Sequence, residues 1–334
     1  MSILVTGAAG FIGAGVCARL LDDGVAVLGI DNLNDYYDPS LKQARLQRLQ
    51  ARSGFRFQCL DLADRDGVAR LFREARPERV IHLAAQAGVR YSIEHPFAYC
   101  DSNLTGFLTM LEGCRQAQVA HLTYASTSSV YGLNEAVPFS EQQAVDHPVS
   151  LYAATKKANE AMAHSYAQLY GLPCTGLRFF TVYGPWGRPD MAPMKFARQI
   201  FAGETIDLYN HGDMIRDFTY IDDIVEGVVR ISALPAAPDP DWNGQEPGCA
   251  SSSAPWRIYN IGNNQPVHLM DFVQALERAC GVPVRSRKLP MQPGDVYRTQ
   301  ADVSALEAAT GFRPQVDVQT GVERLIAWYR EYYL

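Results

Sequence analysis

The chain has 334 residues, of which 30 are Lys or Arg and 36 are Asp or Glu, so its formal net charge is −6. At about 150 residues per domain, this length predicts two domains or one large α/β unit. With 47% apolar and 20% charged residues, the composition excludes a disordered or fibrous chain. The mildly acidic balance provides no general attraction to nucleic acid or anionic lipid, and we expect neither as a partner.

No apolar run approaches the roughly 18 residues that a membrane helix needs, and no charged segment precedes Ile3–Val5 as in a signal peptide. The seven cysteines contain no C-x-x-C pair, and the seven histidines contain no H-E-x-x-H motif. We therefore expect neither a disulfide framework nor a metal site. These features predict a reduced, cytoplasmic protein that does not cross a membrane.

Short apolar runs alternate with helix-period segments over the first 180 residues. The predicted strands are Ile3–Thr6, Val25–Ile30, Arg56–Leu60, Arg79–Leu83, His121–Ala125 and Pro173–Phe180. The predicted helices are the segment from Gly13 to Leu21, Arg65–Glu74, Asn103–Ala117 and Ala153–Tyr170. This alternation predicts an α/β fold with a doubly wound parallel sheet.

The pattern changes after about residue 185, where loops with Gly and Pro become frequent. Short apolar runs at Arg216–Ile221 and Arg257–Ile261 and a final helix at Val318–Tyr332 are interspersed, and the stretch Pro235–Pro255 has the composition of a mobile surface loop. We expect a main domain over 1–180 and a smaller mixed α/β domain over 181–334. Segments near 215–232 and 257–262 are expected to return to the main domain.

A G-x-x-G-x-x-G run at Gly7, Gly10 and Gly13 follows the first strand and opens a helix. Such glycines let the backbone turn tightly around a pyrophosphate, which meets free N–H groups at the helix N-terminus. Asp31 ends the second strand, where it can bind a ribose hydroxyl pair and repel a 2′-phosphate. The alternative is a chance glycine turn, but strand, helix and acid together predict a Rossmann-type domain that binds NAD. The expected cofactor-binding residues are Gly7, Gly10, Phe11, Ile12, Gly13, Asp31, Asn32, Asp61, Leu62, Leu83, Ala84 and Ala85.

Tyr152 and Lys156 are four residues apart in a predicted helix, so their side chains share one face. A phenol is a poor base near neutral pH, but a neighbouring ammonium and the positive ring of oxidised NAD favour its phenolate. Thr127 ends a predicted strand and supplies a hydroxyl for a substrate oxygen. Y-x-x-x-K alone is more often a surface Tyr beside a solvated Lys. Combined with the dinucleotide loop, it predicts Thr127, Tyr152 and Lys156 as catalytic residues. Tyr152 and Lys156 join the twelve residues above as expected contacts of the NAD, and Thr127 and Tyr152 are also expected to contact the substrate.

Several separated motifs together resemble the extended short-chain dehydrogenase/reductases, which include nucleotide-sugar epimerases, dehydratases and decarboxylases. The motifs are the glycine run, His82-Leu83-Ala84-Ala85, Ser126-Thr127, Val130-Tyr131-Gly132, Tyr152-x-x-x-Lys156, Arg178-Phe179-Phe180, Tyr183-Gly184-Pro185, Arg216-Asp217-Phe218, Asn260-Ile261-Gly262 and Pro293-Gly294-Asp295. The resemblance implies that the smaller domain binds a nucleotide sugar. It also implies that Tyr152 takes the proton of the sugar 4-hydroxyl, and that NAD remains tightly bound because it is regenerated in each turnover.

The reaction within this family depends on the residues after Ser126-Thr127. In the dehydratases of this family an Asp-Glu pair directly follows the Ser-Thr, and the related decarboxylases have a glutamate there. This chain has Ser128 and Ser129, which cannot act as general acid or base near neutral pH. The resemblance therefore implies 4-epimerisation.

Segments 31–38, 86–92 and 184–191 are similar to those of UDP-glucuronate 4-epimerases. A glucuronyl carboxylate needs several hydroxyl or charged donors, and Thr127, Ser128, Ser129, Thr181 and Arg188 can supply them. Fixed donors of this kind can keep a 4-keto intermediate from losing CO₂. A UDP-hexose 4-epimerase, a decarboxylase and a catalytically inactive dinucleotide sensor are the alternatives.

The nucleotide of the substrate requires cations in a chain that is negative overall. The resemblance implies Arg216 at the diphosphate, with Arg90 and Lys195 as weaker candidates, and Asp295 at the uridine ribose. Gln292 departs from the family, whose hexose epimerases carry an arginine just before Pro-Gly-Asp. A homodimer is also implied, joined through the helices 103–117 and 153–170, where Ala153, Ala154, Ala158 and Ala161 permit close approach or plain packing on the sheet.

Overall fold

A computed structural model describes residues 2–292 and 295–334 of the chain. Its strands are β1 (Ser2–Thr6), β2 (Ala26–Asp31), β3 (Phe55–Cys59), β4 (Arg79–His82), β5 (His121–Thr127), β6 (Cys174–Phe179), β7 (Thr181–Tyr183), β8 (Ile206–Leu208), β9 (Ile215–Tyr220), β10 (Trp256–Ile261), β11 (Pro266–His268) and β12 (Ser286–Lys288). Seven of them form one parallel sheet in the order β10-β6-β5-β4-β1-β2-β3. The predicted doubly wound sheet is confirmed.

The α-helices are α1 (Phe11–Asp22), α2 (Pro39–Gln50), α3 (Arg65–Ala75), α4 (Tyr91–Glu94), α5 (Pro96–Tyr99), α6 (Gly106–Ala117), α7 (Leu151–Tyr170), α8 (Ala192–Phe201), α9 (Ile221–Ser232), α10 (Leu269–Cys280), α11 (Ser304–Thr310) and α12 (Val318–Tyr333). Both faces of the large sheet are covered, because Ile3 and Val5 belong to one buried apolar cluster and Leu4 to the other. This explains why the central strands β1 and β2 are nearly continuous apolar runs, whereas β3 at the edge alternates apolar with polar residues.

Strand order reverses at β1, which lies between β2 and β4. Crevices at the carboxyl ends of parallel strands open at such a switch point, and ligands bind there in doubly wound sheets. The ends of β1, β2, β4 and β5 therefore mark where a site is expected.

The remaining strands form a three-stranded sheet of mixed direction, β11-β9-β7, and a two-stranded one, β12-β8. The expected smaller mixed α/β part is thus present. Residues near 257–262 lie in β10 of the large sheet, and α9 packs on α1, whereas 215–220 form β9 of the small sheet. The division at residue 180 remains a prediction.

The elements that the sequence analysis did not anticipate include helix α2 and a π-helical turn. Helix α2 begins where Asp38 accepts a hydrogen bond from Ser40 N (2.9 Å) and Pro39 occupies the first helical position. The predicted helix 103–117 begins as a π-helical turn, Cys100–Thr105, in which Asn103 bonds the backbone of Gln86.

The stretch 235–255 contains no helix. Within it, Asp239 accepts a hydrogen bond from Ser251 (2.6 Å), and a second one from Arg257 (2.9 Å) connects the stretch to β10. Its mobility stays a prediction. Among the described residues, no helix combines the length and apolarity that crossing a membrane requires.

Candidate active site

Two adjoining cavities open at the carboxyl edge of the large sheet. The first has a volume of about 370 Å³ and is lined by the glycine turn and the ends of β1, β2, β4 and β5. The second, of about 510 Å³, lies between that edge and the smaller sheets. Ser128, Ser129 and Thr181 line both cavities, so a molecule spanning the two would pass over three hydroxyl side chains.

The glycine turn leaves no room for side chains. Gly7 has φ of +70°, and a Cβ there would lie 2.9 Å from Ala84 N; a Cβ on Gly13 would lie 2.0 Å from Gly7 O. Gly10 precedes α1 without any side chain that caps the helix. The first N–H groups of α1 are therefore free to meet a phosphate, as the sequence predicts.

Asp31 joins the glycine turn to the next loop. Its carboxylate accepts hydrogen bonds from Ala9 N (3.2 Å) and Leu33 N (2.9 Å), while Asn32 Nδ2 donates to Asp61 (2.8 Å). All twelve residues predicted to bind the cofactor line the first cavity, as does Lys42, which the sequence analysis missed. An acid at the ribose end and uncapped N–H groups at the phosphate end fit NAD.

Thr127, Tyr152 and Lys156 all line the first cavity beside Thr181. Thr127 ends β5, and Tyr152 and Lys156 lie one turn apart on α7, which begins where Ser150 accepts a hydrogen bond from Ala153 N (3.1 Å). Burial raises the pKa of Tyr152, and the Thr127 hydroxyl and the Arg188 guanidinium oppose that rise. Desolvation of the phenol thus dominates its pKa in the protein, and the expectation that the Lys156 ammonium and the positive ring of oxidised NAD together favour the phenolate stays a prediction.

Lys156 is 2% exposed, and this burial lowers the pKa of its ammonium to about 8, although Glu160 one turn along opposes the shift. Glu160 itself accepts hydrogen bonds from Ser126 Oγ (2.7 Å) and from the Arg178 guanidinium (2.9 and 3.0 Å). The Ser126 hydrogen bond thus connects α7 to β5, the strand that carries Thr127, and the buried ion pair connects α7 to β6.

The structure brings together the hydroxyl side chains expected around a substrate carboxylate, but Arg188, expected beside them, is already paired with Asp190. Thr127 Oγ1 lies 3.2 Å from both the Oγ and the backbone N of Ser129. Arg188 donates two hydrogen bonds to Asp190 (3.1 and 2.5 Å), which also accepts one from Tyr36 OH (3.0 Å). Tyr36 and Asp190 were missed because their link spans 154 residues of sequence.

The four residues expected at the nucleotide all line the second cavity: Arg90, Lys195, Arg216 and Asp295. Arg90 forms an ion pair with Asp295 (3.1 Å) across the mouth of this cavity. Arg216 donates to the carbonyl oxygens of Ile215 (2.9 Å) and Tyr297 (3.0 Å), and burial lowers its pKa. In the described ranges, 2–292 and 295–334, no carboxylate pairs with Arg216. Pro293 and Gly294 of the predicted motif lie outside the described residues.

Residues 3–246 match the model of the NAD dependent epimerase/dehydratase family. This chain belongs to that family. A relative in Rhizobium meliloti (strain 1021), named probable UDP-glucuronate 4-epimerase, is 51% identical over 337 residues, covering 100% of this chain and 98% of the relative. The suspected extended short-chain dehydrogenase/reductase relationship is thereby confirmed.

Solved structures agree over the full length. The UDP-glucuronic acid 4-epimerase of Bacillus cereus, in complex with UDP-glucuronic acid and NAD, superimposes with a TM-score of 0.87 at 32% identity, each chain being fully covered. The UDP-glucose 4-epimerase of Thermotoga maritima, with UDP-glucose, gives a TM-score of 0.85 at 28% identity and 99% coverage of both chains. The fold is therefore shared by epimerases that act on acidic and on neutral sugars.

Proposed function

We propose that this chain catalyses the NAD-dependent 4-epimerisation of UDP-glucuronate to UDP-galacturonate through a 4-keto intermediate, without loss of CO₂. The observation that carries the proposal is the shared wall of the two cavities: Ser128, Ser129 and Thr181 line both cavities, Tyr152 lines the first, and a serine instead of a carboxylate follows Thr127. The full-length relatives named for UDP-glucuronate support the same substrate.

Tyr152 acts as the base that takes the proton of the 4-hydroxyl and later returns it, since its phenol is the titratable group beside Thr127. Lys156 supplies the positive charge that favours the phenolate, and Thr127 orients the sugar oxygen. NAD, when bound, would supply the reversible hydride acceptor that oxidation and re-reduction of the sugar C4 require. The twelve residues along the first cavity would hold it, with Asp31 at the ribose and the Gly7–Gly13 turn at the pyrophosphate.

The hydroxyls of Thr127, Ser128, Ser129 and Thr181 hold the C5 carboxylate of the substrate, and Arg188 exchanges Asp190 for it. The 4-keto intermediate is a β-keto acid, which loses CO₂ when the carboxylate stands perpendicular to the carbonyl plane. Several fixed donors oppose that rotation, because each hydrogen bond to an ionised group is worth about 1.5–3 kcal/mol.

Arg216 binds the diphosphate, because its charge is without a carboxylate partner among the described residues and it lines the second cavity. Lys195 adds charge on the same wall. Arg90 and Asp295 must separate from each other to contact the diphosphate and the uridine ribose, respectively.

The test uses the protein as purified, incubated with UDP-glucuronate and no added NAD, with the products followed by proton NMR of the anomeric region. UDP-galacturonate supports the proposal, including tight retention of NAD. A UDP-pentose identifies a decarboxylase, and turnover of UDP-glucose or UDP-N-acetylglucosamine alone identifies a hexose epimerase. No turnover of any of these supports a dinucleotide sensor instead.

We propose that the active form is a homodimer joined through α6 and α7. Phe97, Leu108, Leu151 and Leu169 are exposed apolar side chains on α5, α6 and α7. Ala154, Ala158 and Ala161 lie on the open side of α7, which permits close approach of a second copy; Ala153, included in our expectation, is instead buried within the subunit. Sedimentation of L108E and L169E variants as monomers, against a dimeric parent, is the expected result.

We also propose a cytoplasmic location. All seven cysteines carry free thiols in the structure, four of them buried, which suits a reducing compartment. Fractionation of the native host, with activity confined to the cytosol, is the expected outcome.

A further inference from the structure

Arg45, on helix α2, is a charged side chain that is only 1% exposed. Its guanidinium donates to Trp186 O from Nε (3.1 Å) and Nη2 (2.5 Å), to Ala9 O (3.1 Å) and Tyr37 OH (2.7 Å) from Nη1, and to Gly187 O (3.2 Å) from Nη2. An arginine has five N–H donors, so the whole fork is engaged. It binds three segments of the chain that are far apart in sequence.

The first segment is the glycine turn. Ala9 donates its N–H to the Asp31 carboxylate and accepts from Arg45 at its carbonyl oxygen. The two peptide groups on either side of Ala9 are thus held, the preceding one by an anion and the following one by a cation. Rotation of the Ala9–Gly10 peptide would turn the Gly10 N–H away from Gly7 O, to which it donates (2.8 Å), so Arg45 helps to set the direction of this part of the turn.

The second segment contains Trp186 and Gly187, directly before Arg188. Trp186 has φ of +64°, a left-handed conformation that costs of order 1–3 kcal/mol for a bulky residue and persists only where surrounding contacts hold it. Arg45 supplies two of these contacts at the Trp186 carbonyl. The Trp186 ring packs against Trp328 and Tyr332 of helix α12.

The third segment is the loop after β2, through Tyr37. Its neighbour Tyr36 donates to Asp190, the partner of Arg188. The loop that follows Asp31 and the segment 184–191 are therefore joined twice, once through Arg45 and once through Asp190. A displacement of either segment must move the other.

The charge of Arg45 has no ion-pair partner within the part of the chain that the structure describes. It lies behind the N-terminus of α1, whose partial positive charge has the same sign. The charge of Arg45 and the partial charge of the helix both favour an anion at the glycine turn. The hydrogen bond from Arg45 to Ala9 therefore places a positive charge near the turn as well as fixing its backbone.

We propose that Arg45 is a positioning residue that locks the cofactor turn and the sugar-binding segment into one unit, so that retention of NAD and affinity for the sugar depend on the same side chain. The sugar half of this statement rests on the proposed function. A lysine cannot replace it, because an ammonium has three donors on one atom and cannot reach four acceptors in a planar fork.

The experiment compares R45K and R45M with R48K and R48M. Arg48 lies one turn along from Arg45 and stacks on the Trp186 ring (4.5 Å) without contacting the backbone of the segment, so it is a matched control. Two quantities are measured: NAD released by denaturing the gel-filtered protein, and KM against kcat for UDP-glucuronate with saturating NAD added back.

We expect R45K to lose more than half of its bound NAD and to raise KM about tenfold, as for a lost charge-assisted hydrogen bond, while both Arg48 variants keep wild-type values. A merely structural role would lower the melting temperature without moving NAD content or KM, and that result in R45K overturns the proposal. If R45K and R45M do not fold, Tyr37→Phe removes one acceptor and leaves the charge. Unchanged NAD retention and KM in that variant would also overturn it.

Failure of the proposed function is distinguishable from failure of this inference. A wild-type protein that does not convert UDP-glucuronate refutes the substrate assignment, whereas the NAD content of R45K still decides whether Arg45 holds the cofactor turn.

Discussion

The two cavities are built in different ways. Strand ends of one parallel sheet and the loops that follow them line most of the first cavity, whose lining residues lie between Gly7 and Met191. The second is closed by side chains from distant parts of the chain, as in the Arg90–Asp295 ion pair, whose members are 205 residues apart. A preformed sheet edge is suited to retain a cofactor, and a cleft bridged by a half-exposed ion pair is suited to admit and release a substrate.

We expect the two cavities to control different kinetic constants. Under the proposed function Tyr152 and Lys156 contact the reacting atoms, so changes at the sheet edge should act on kcat. The same proposal places Arg216 against substrate groups that do not react, so changes in the second cavity should act mainly on KM. Each of the following measurements can break that division.

Tyr152→Phe should have the largest effect. Loss of the general base is expected to lower kcat by about 10²- to 10⁴-fold, while the bound NAD content stays at the wild-type level. The measurement is conversion of UDP-glucuronate by NMR, with NAD released and counted. Retention of full epimerase activity would remove Tyr152 from the mechanism.

Arg216→Met should act on the other region. Removal of a charged donor from the diphosphate is expected to raise KM by about ten- to a hundredfold and leave kcat within about threefold. Steady-state kinetics of this variant, with Arg298→Met as a control for loss of a nearby arginine, provide the test. A drop in kcat with unchanged KM would contradict the assignment.

The pH dependence follows from Lys156, whose pKa lies near 8 instead of its ordinary 10.5. As pH rises through 8 the ammonium loses its charge, so kcat should fall about tenfold per pH unit above that value. Between pH 8 and 10.5 the unfolded chain binds this proton more tightly, so stability contributed by this site rises with pH.

The decline of kcat therefore does not report unfolding. Lys156→Arg, which stays charged, should lack the decline, although its overall rate is lower. An identical alkaline limb in the variant would assign the pH dependence to another group.

Thr181→Val and Ser128→Ala should have the smallest effect on rate but a visible one on product. Loss of one donor to the carboxylate is expected to raise the fraction of UDP-pentose from near zero to a few per cent or more, since each lost bond is worth about 1.5–3 kcal/mol. The readout is NMR of the product mixture, with Ser165→Ala on the outer face of α7 as control. Unchanged product ratios in both variants would refute the role of these hydroxyls.

The sheet and its motifs were predictable because their signals are local. Each strand of the large sheet up to β6 overlaps a short run that is rich in apolar residues, and the glycines of the first turn stand within seven residues of one another. The pair Tyr152 and Lys156 needs only helical spacing to share a face. Helix α2 was missed although Asp38-Pro39 is a typical helix start, since its apolar residues Leu41, Leu46 and Leu49 are interleaved with cations.

Protonation and pairing were less predictable. Whether Tyr152 is more or less acidic than free tyrosine depends on how far the folded protein excludes water from it, and its burial decided the sign. Arg188 lines the first cavity, but its hydrogen bonds to Asp190, which also accepts one from Tyr36, became visible only in the fold. Arg45 was not considered, because an arginine in a polar helix has no local mark of burial.

The sequence by itself determined the fold class, the dinucleotide turn and the Thr127, Tyr152 and Lys156 set, because backbone sterics and helical periodicity operate over a few residues. Which charged side chains are neutralised, and which remain available to bind a ligand, became clear only in the folded structure. Arg188 is paired with Asp190, and Arg45 joins three segments of the chain. Arg216 lines the second cavity and, among the described residues, has only carbonyl and sulfur partners. The reason is that electrostatic interactions depend on distance through space and on burial, and both quantities are set only when remote segments meet.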